Sequence, residues 1–315
     1  MSLRSSLIDH AAAQAAMQPW IEMECIQLGQ GKCLGALHSL ELGNQRLVRE
    51  CQETAVQKLG ATPDNLCTIS YCTLDPAFRF SEHGAGDADA IFFLPEKTEF
   101  DLHVPAGAQT TYVSLDQVEF LDAARVLNPA EWEIAPQGIK LLYSRQKALF
   151  QDAVEVWFRA AGMAARQRGA PVADIMRRLL FQTVLQIATS TTQAPAEAVP
   201  PAARLRAFRI CREARAFAED RIETDEPPTM VDICRAVGVS ERTLQYAFGA
   251  YAGMSPMAYL RLLRLNRVRT MLLRSTHRET TVTAAAMRFG FFHLGRFSHD
   301  YKRVFDEAPS ATLAC

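Results

Sequence analysis

The sequence predicts an α+β protein: a β-rich N-terminal region, a helical hairpin after it, and an all-α C-terminal domain that carries two helix-turn-helix units. Three observations predict it. Apolar residues fall in short or alternating runs up to about residue 115 and take a helical period from about residue 139. The stretch "TSTTQAPAEAVPPAA", residues 189–203, is polar, proline-rich and without either period, as expected of a linker. Beyond it, a pair of helices joined at a glycine recurs about 52 residues later.

The N-terminal segment "MSLRSSLIDHAAAQAAMQPW" lacks the apolar core of a signal peptide and is expected to form a short polar-faced helix. The runs "WIEMECIQL", "CLGALHSLEL", "LCTISYCTL", "AIFFLP", "FDLHVP" and "TTYVSL" are punctuated by Gly, Pro, Asp and Asn, which is the pattern of an all-β sandwich or barrel. A short helix is expected over 116–128. In the hairpin, Leu142, Leu149 and Val156 recur at sevens, flanked by Tyr143, Phe150 and Trp157, and a second helix from Pro171 shows Val172, Ile175, Met176, Leu179, Leu180 and Ile187 on one side. This broad apolar face suits a dimer seam with Phe150 and Trp157 as anchors. The expected boundaries are a β-rich region at 1–135, the hairpin at 136–190, a linker at 191–203 and the helix-turn-helix domain at 204–315.

Charge separates the two ends. Residues 1–203 hold 16 Lys and Arg against 23 Asp and Glu, whereas residues 204–315 hold 18 against 12, so only the C-terminal part is suited to phosphate. The eight cysteines form no CxxC pair and no cluster with histidine at zinc spacing, which argues against a disulfide framework and a structural metal. His38, His83 and His103 with Glu82 or Glu99 do not lie at the spacing a metal-dependent oxygenase needs, so neither metal, cofactor nor catalytic residues are expected. Tyr71, Phe92, Phe93 and Tyr112 are aromatic candidates for a pocket, and their plainer reading is core. No run of 18 apolar residues suggests a membrane span, and a cytoplasmic location is expected.

In "TMVDICRAVGVSERTLQYAFGAYAG", Met230, Ile233 and Cys234 form the inner face of a first helix, Gly238 makes the turn, and Ser240 caps a second helix with Leu244 and Phe248 inward. Its outward residues Glu241, Arg242, Gln245 and Tyr246 are long, polar and suited to base edges. In "TVTAAAMRFGFFHLGRFSHDYKRVF", Val282, Ala285 and Ala286 repeat the inner face, Gly290 the turn, and Phe297 and Tyr301 the inner positions. The outward set there is His293, Arg296, His299, Lys302 and Arg303, and the turn is one residue longer. Between the copies, "SPMAYLRLLRLNRVRTMLLR" reads as one helix with Ser255 as N-cap, long enough at ~28 Å to act as a rigid spacer.

The segments "GVSERTLQYAF", "SPMAYLRLLRLNRVRTML" and "FGFFHLGRFSHDYKRVFDEAPSATL" resemble the C-terminal domain of the AraC/XylS family of bacterial transcription regulators, over about residues 206–313. The resemblance implies that both recognition helices enter adjacent major grooves of double-stranded promoter DNA. It implies that Ser240, Glu241, Arg242, Gln245, Tyr246, His293, Arg296, His299, Lys302 and Arg303 face bases and flanking phosphates. Gly295 in the second recognition helix departs from the family, a small residue near a position that often carries a polar side chain. The N-terminal arrangement is similar to that family's cupin-like β-barrel sensor and dimerisation domain. An inducible activator follows from the resemblance, with a small-molecule effector, a homodimer, RNA polymerase as partner and a place on the bacterial nucleoid. The tail "GFFHLGRFSHDY" is similar to those of regulators of amine or ethanolamine catabolism, which implies an amine or related catabolite as inducer. The competing expectations are a cupin-type metal-dependent enzyme fused to a DNA-binding domain, and a ligand-free regulator with a purely dimerising N-terminal domain.

Overall fold

The computed structural model describes residues 1–84, 89–167, 171–191, 202–224 and 227–314. The chain divides into two compact units, one of residues 1–25, 34–53 and 58–199, the other of residues 26–33, 54–57 and 200–315. Most of the linker expected at 191–203 lies outside the described residues.

In chain order the first part runs β1 (Ser2–Ile8), α1 (Ala11–Ala16), β2 (Glu22–Gln27), β3 (Gly35–Leu42), β4 (Gln45–Gln52), β5 (Val56–Ala61), β6 (Leu66–Cys72), β7 (Arg79–Phe80), β8 (His83–Gly84), β9 (Ala90–Leu94), β10 (Glu99–Val104), β11 (Gln109–Asp116), α2 (Gln117–Leu127), α3 (Pro129–Trp132), β12 (Lys140–Tyr143), α4 (Lys147–Gln167) and α5 (Pro171–Thr189). The strands make two sheets, of order β1-β3-β4-β11-β6-β9-β12 and β2-β5-β10-β7-β8. The expected α+β class holds, but the β-region is two sheets and not a closed barrel among the described residues. Each described strand pair in the larger sheet is antiparallel, so successive side chains alternate between its faces.

Two expectations are corrected here. The N-terminal segment begins as a strand, because Ser2–Ile8 pairs in register with Gly35–Glu41, and only the alanine run after the His10 N-cap turns helical. The hairpin region also opens with a strand, since Lys140–Tyr143 pairs with Ala90–Phe93 and the first long helix starts only at Lys147. Leu142 therefore belongs to the sheet.

The core of this unit lies between the larger sheet and its helices. Phe93 of β9, Phe120 of α2 and Trp132 of α3 form an aromatic triad with ring centroids 5.0 to 5.6 Å apart. Along α4 the residues that enter it are Phe150, Val154, Trp157 and Ala161, spaced four, three and four, and along α5 they are Met176, Leu180, Val184 and Ile187. Phe150 and Trp157, expected as anchors of a seam, are thus core residues, and Phe150 packs edge-on against Tyr71 at 5.2 Å. Burying each contributes about 1.5–3 kcal/mol. The sevenfold stripe beside them stays outside: Leu149, Val156 and Met163 are each more than half exposed.

The second unit is helical beyond residue 200: α6 (Ala202–Glu223), α7 (Met230–Val237), α8 (Glu241–Ala252), α9 (Pro256–Arg274), α10 (Val282–Arg288), α11 (Leu294–Phe305) and α12 (Pro309–Ala314). Ile210, Ala214 and Ala218 of α6 are buried, as are Ile233 of α7 and Leu244, Phe248 and Tyr251 of α8. A separate cluster joins Leu265, Val268 and Leu272 of α9 to Ala285, Phe297, Tyr301 and Phe305. The long helix α9 thus gives its C-terminal half to the second helix pair, while Tyr259 near its start packs on Phe248 of the first at 5.3 Å.

Candidate nucleic-acid interface

Both helix pairs are built by the same local chemistry. Thr229 and Asp232 make a reciprocal capping box that starts α7, and Gly238 ends it in the left-handed region at φ +70°. Ser240 then caps α8 by accepting from the Thr243 N–H at 3.2 Å. In the second pair Thr281 caps α10 and accepts from the Ala284 N–H at 3.1 Å. Gly290 follows α10 at φ +75°, and a Cβ there would stand 2.7 Å from Pro227 Cγ, so both backbone angle and space demand glycine. The intervening turns differ: residues 238–240 in the first pair, residues 289–293 in the second. His293 sits at the N-cap of α11 but makes no capping hydrogen bond, whereas Ser240 does.

All ten residues expected to face nucleic acid are exposed: Ser240, Glu241, Arg242, Gln245 and Tyr246 on and before α8, and His293, Arg296, His299, Lys302 and Arg303 on and before α11. Their opposite faces hold Leu244 and Phe248, and Phe297 and Tyr301, buried in the two cores. The structure adds how two of the cations are held. The Arg242 guanidinium lies over the Tyr246 ring, 5.5 Å from its centroid, and donates to the Tyr246 hydroxyl at 3.3 Å. Arg303 pairs at 3.1 Å with Asp300, a buried carboxylate of α11 that also takes Arg261 of α9. Asp300 escaped the sequence reading because its position, one residue before the inward Tyr301, differs little from those of the outward side chains.

Phe292 also escaped it. Its neighbour Phe291 is buried against Phe297 at 5.1 Å, and Phe292 itself is 71% exposed beside the N-terminus of α11. A single sequence offered no way to tell which of the two phenylalanines enters the core. Gly295 of α11 has open space where a Cβ would stand, so its lack of a side chain is not imposed by packing.

Residues 233–314 match the family model described as "Helix-turn-helix domain". Among curated proteins, the chain is 41% identical over 99 residues to the "Probable thc operon regulatory protein" of Rhodococcus erythropolis, covering 31% of this chain and 30% of that one. It is 40% identical over 76 residues to "XylDLEGF operon transcriptional activator 2" of Pseudomonas putida, covering 24% of this chain and 48% of that one. These matches span less than half the length of either relative. Among solved structures, it is 36% identical to a probable AraC family transcriptional regulator from Rhodopseudomonas palustris, over 34% of this chain and 95% of that chain, with a TM-score of 0.31. The chain belongs to the AraC/XylS family. Within this AraC/XylS-type domain, the matched residues take in nearly all of α7 through α12 and therefore both recognition helices.

The AraC/XylS-type chain has a second site in its first unit, a cavity between the two sheets whose empty space, including its open mouth, is about 570 Å³. Tyr71, Phe78, Phe80, Leu94, Phe100 and Leu102 give it apolar walls, and Gln18, Glu50, Lys58, Thr111 and Tyr112 a polar patch. Of the four aromatic pocket candidates, Tyr71 and Tyr112 line it. Phe92 packs behind it on Phe78 and Phe80, and Phe93 lies in the aromatic triad. Lys58 and Glu50, both buried, pair directly. Burial pulls the Lys58 ammonium down to about 8. His38, His83 and His103 do not converge: His38 contacts Ser5 at 2.9 Å, His83 stands 3.8 Å from Glu82, and His103 donates to the Ala77 carbonyl at 2.9 Å. Among the described residues no three of His, Cys, Asp and Glu cluster to hold a metal, and no helix is long and apolar enough to cross a membrane.

Proposed function

We propose that this protein is a sequence-specific DNA-binding transcription regulator, acting by binding rather than catalysis, whose first unit senses a small molecule. The observation that carries the reading is the pair of exposed, cation-bearing recognition helices α8 and α11, whose two helix pairs are joined by the 19-residue helix α9. At 1.5 Å per residue α9 spans roughly 28 Å, near the ~34 Å between successive major grooves on one face of B-DNA. Its ends are fixed to different cores, by Tyr259 on Phe248 and by the Leu265–Leu272 cluster, which suits a rigid spacer. Arg242 and Arg296 are assigned to base edges, with Lys302 and Arg303 on phosphates. Activation through RNA polymerase and a cytoplasmic, nucleoid-bound location follow from the family.

Two copies of the chain are inferred to pair through the exposed stripe of α4 and α5. Leu149, Val156 and Met163 recur at sevens on α4, and Ile175 and Leu179 stand exposed on α5, so the stripe next to the core residues is the one left for a partner.

Footprinting the full chain tests the reading. The expected site for each copy is asymmetric and roughly 17–20 base pairs long, covering two major grooves on one face. Inserting about five base pairs between the half-boxes turns one to the opposite face, and recovering it by twisting or bending costs several kcal/mol. Two-headed protection is therefore lost at half-turn spacing. Equal protection at both spacings would mean that α9 does not act as a rigid spacer or that one helix pair does not read DNA.

A further inference from the structure

The cavity in the first unit has already matched its own charges. Glu50 accepts from Gln14 Nε2 at 3.0 Å, Gln18 Nε2 at 2.5 Å and Gln52 Nε2 at 3.4 Å, besides Lys58. Three of these donors, Gln14, Gln52 and Lys58, fall on Oε2 and one, Gln18, on Oε1. Gln18 is itself fixed, because its Oε1 accepts from the Tyr112 hydroxyl at 2.7 Å, which in turn accepts from Trp20 Nε1 at 3.0 Å. The patch therefore holds one negative and one positive charge, each nearly sealed from water, with side chains 1% and 5% exposed.

That balance discriminates among occupants. A cation entering here brings a second positive charge beside Lys58, with one carboxylate to balance both. An anion that takes the remaining donors of Lys58 brings a second negative charge beside the buried Glu50, with one positive charge to balance both, which is strongly unfavourable. An uncharged molecule disturbs neither. Among the described residues Lys58 bonds Glu50, and an ammonium has three N–H donors, so two remain for a neutral acceptor. The aromatic walls of Tyr71, Phe78, Phe80 and Phe100, with Phe80 6.3 Å from Phe100, suit a flat ring.

We propose that this cavity binds an uncharged, ring-bearing small molecule whose polar end presents a hydrogen-bond acceptor to Lys58, and that it discriminates against amines and carboxylates of the same shape. The proposal rests on the effector-sensing reading above and narrows it. It turns away from the amine that the C-terminal tail suggests.

Three planar molecules of nearly one shape make the test: benzamide, benzoate and benzamidinium, added to the full chain at pH 7. Benzamide at about 10 mM is expected to raise the melting temperature by about 2 °C or more and to bind at least ~10-fold more tightly than either ion. Glu50→Gln leaves Lys58 without its counter-charge, and its preference should move towards benzoate; Lys58→Met should move it towards benzamidinium. The comparison in the unaltered protein needs neither variant to fold. Benzoate or benzamidinium binding as tightly as benzamide would overturn the neutral selection while leaving a ligand-sensing cavity in place. No stabilisation by any of the three would overturn the cavity as a ring-binding site, and the DNA footprint, which needs no ligand, separates that failure from failure of the regulator reading.

Discussion

Replacing Asp300 by alanine separates the contribution of charge from that of packing beneath the second recognition helix. The Asp300 side chain is 6% exposed and pairs with Arg261, which is 27% exposed, and with Arg303 at the surface. Removing one partner of a fully buried pair costs about 3–5 kcal/mol, because the other charge is left without compensation. Arg261 keeps about a quarter of its surface in water, which offsets part of that, so ~2–3 kcal/mol is expected. For a unit of roughly 100 residues each kcal/mol lowers the midpoint by about 4 °C or more, so calorimetry of the full chain should show one transition moved down by ~10 °C. The footprint should lose the half-box read by α11 and keep the one read by α8, since Phe248 and Leu244 lie in a different cluster. A variant within ~0.5 kcal/mol of wild type, with both half-boxes protected, would refute the reasoning. Phe297, Tyr301 and Phe305 alone would then hold the helix.

Two further outcomes follow from the first unit. Leu149→Glu with Val156→Glu should convert a dimer to monomer in sedimentation with little loss of melting temperature, because both side chains are exposed, whereas Trp157→Ala should destabilise by about 3–5 kcal/mol; a dimer unchanged by the double substitution would remove this seam. Burial holds the His103 imidazole below the usual histidine range, so below pH 6.5 the unfolded chain binds the extra proton first and stability falls as pH drops through that window. His103→Gln should make the urea midpoint less sensitive between pH 7.5 and pH 5.5, and identical pH slopes would refute it.

How much of this was legible in the sequence depends on where the information sits. The capped helices of the second unit are written in local residues: Ser240, Ser255, Thr281, Gly238 and Gly290 each act on neighbours within a turn, and their expected elements formed where the pattern placed them. The α4 face was misread because Leu149 and Val156 are as apolar as Phe150 and Trp157, and only the position of the sheet decides which stripe is covered. Strands β1, β4 and β5 were not anticipated, since their burial comes from pairing partners distant in the chain, as when Arg46, Leu47 and Val48 lie between β3 and β11. The Glu50–Lys58 pair was equally hidden: eight residues apart on different strands, neither stands out from surface charge until the fold buries both. Polar residues at strand positions are thus the least readable class here, and they include the ones that give the cavity its character.

The final expectation concerns Tyr246, which is 66% exposed yet shares its ring with Arg242. If Tyr246 serves by holding the guanidinium ready for a base edge, its value lies in the freedom Arg242 no longer has to lose on binding. That is worth ~0.5–1.5 kcal/mol for a long side chain, and an exposed cation–π contact is worth ~0.5–1 kcal/mol. Tyr246→Phe keeps the ring and gives up only the 3.3 Å hydrogen bond, so it should lose less than Tyr246→Ala. Arg242→Ala should lose ~1–3 kcal/mol at the specific site and relax base preference. A double-mutant cycle on the specific duplex separates the two roles. A Tyr246 that only positions Arg242 has nothing left to position in the Arg242→Ala background, so the double variant should bind no more weakly than Arg242→Ala. Additive losses would mean instead that Tyr246 reaches the DNA itself, and that the first recognition helix reads its half-box with two independent side chains.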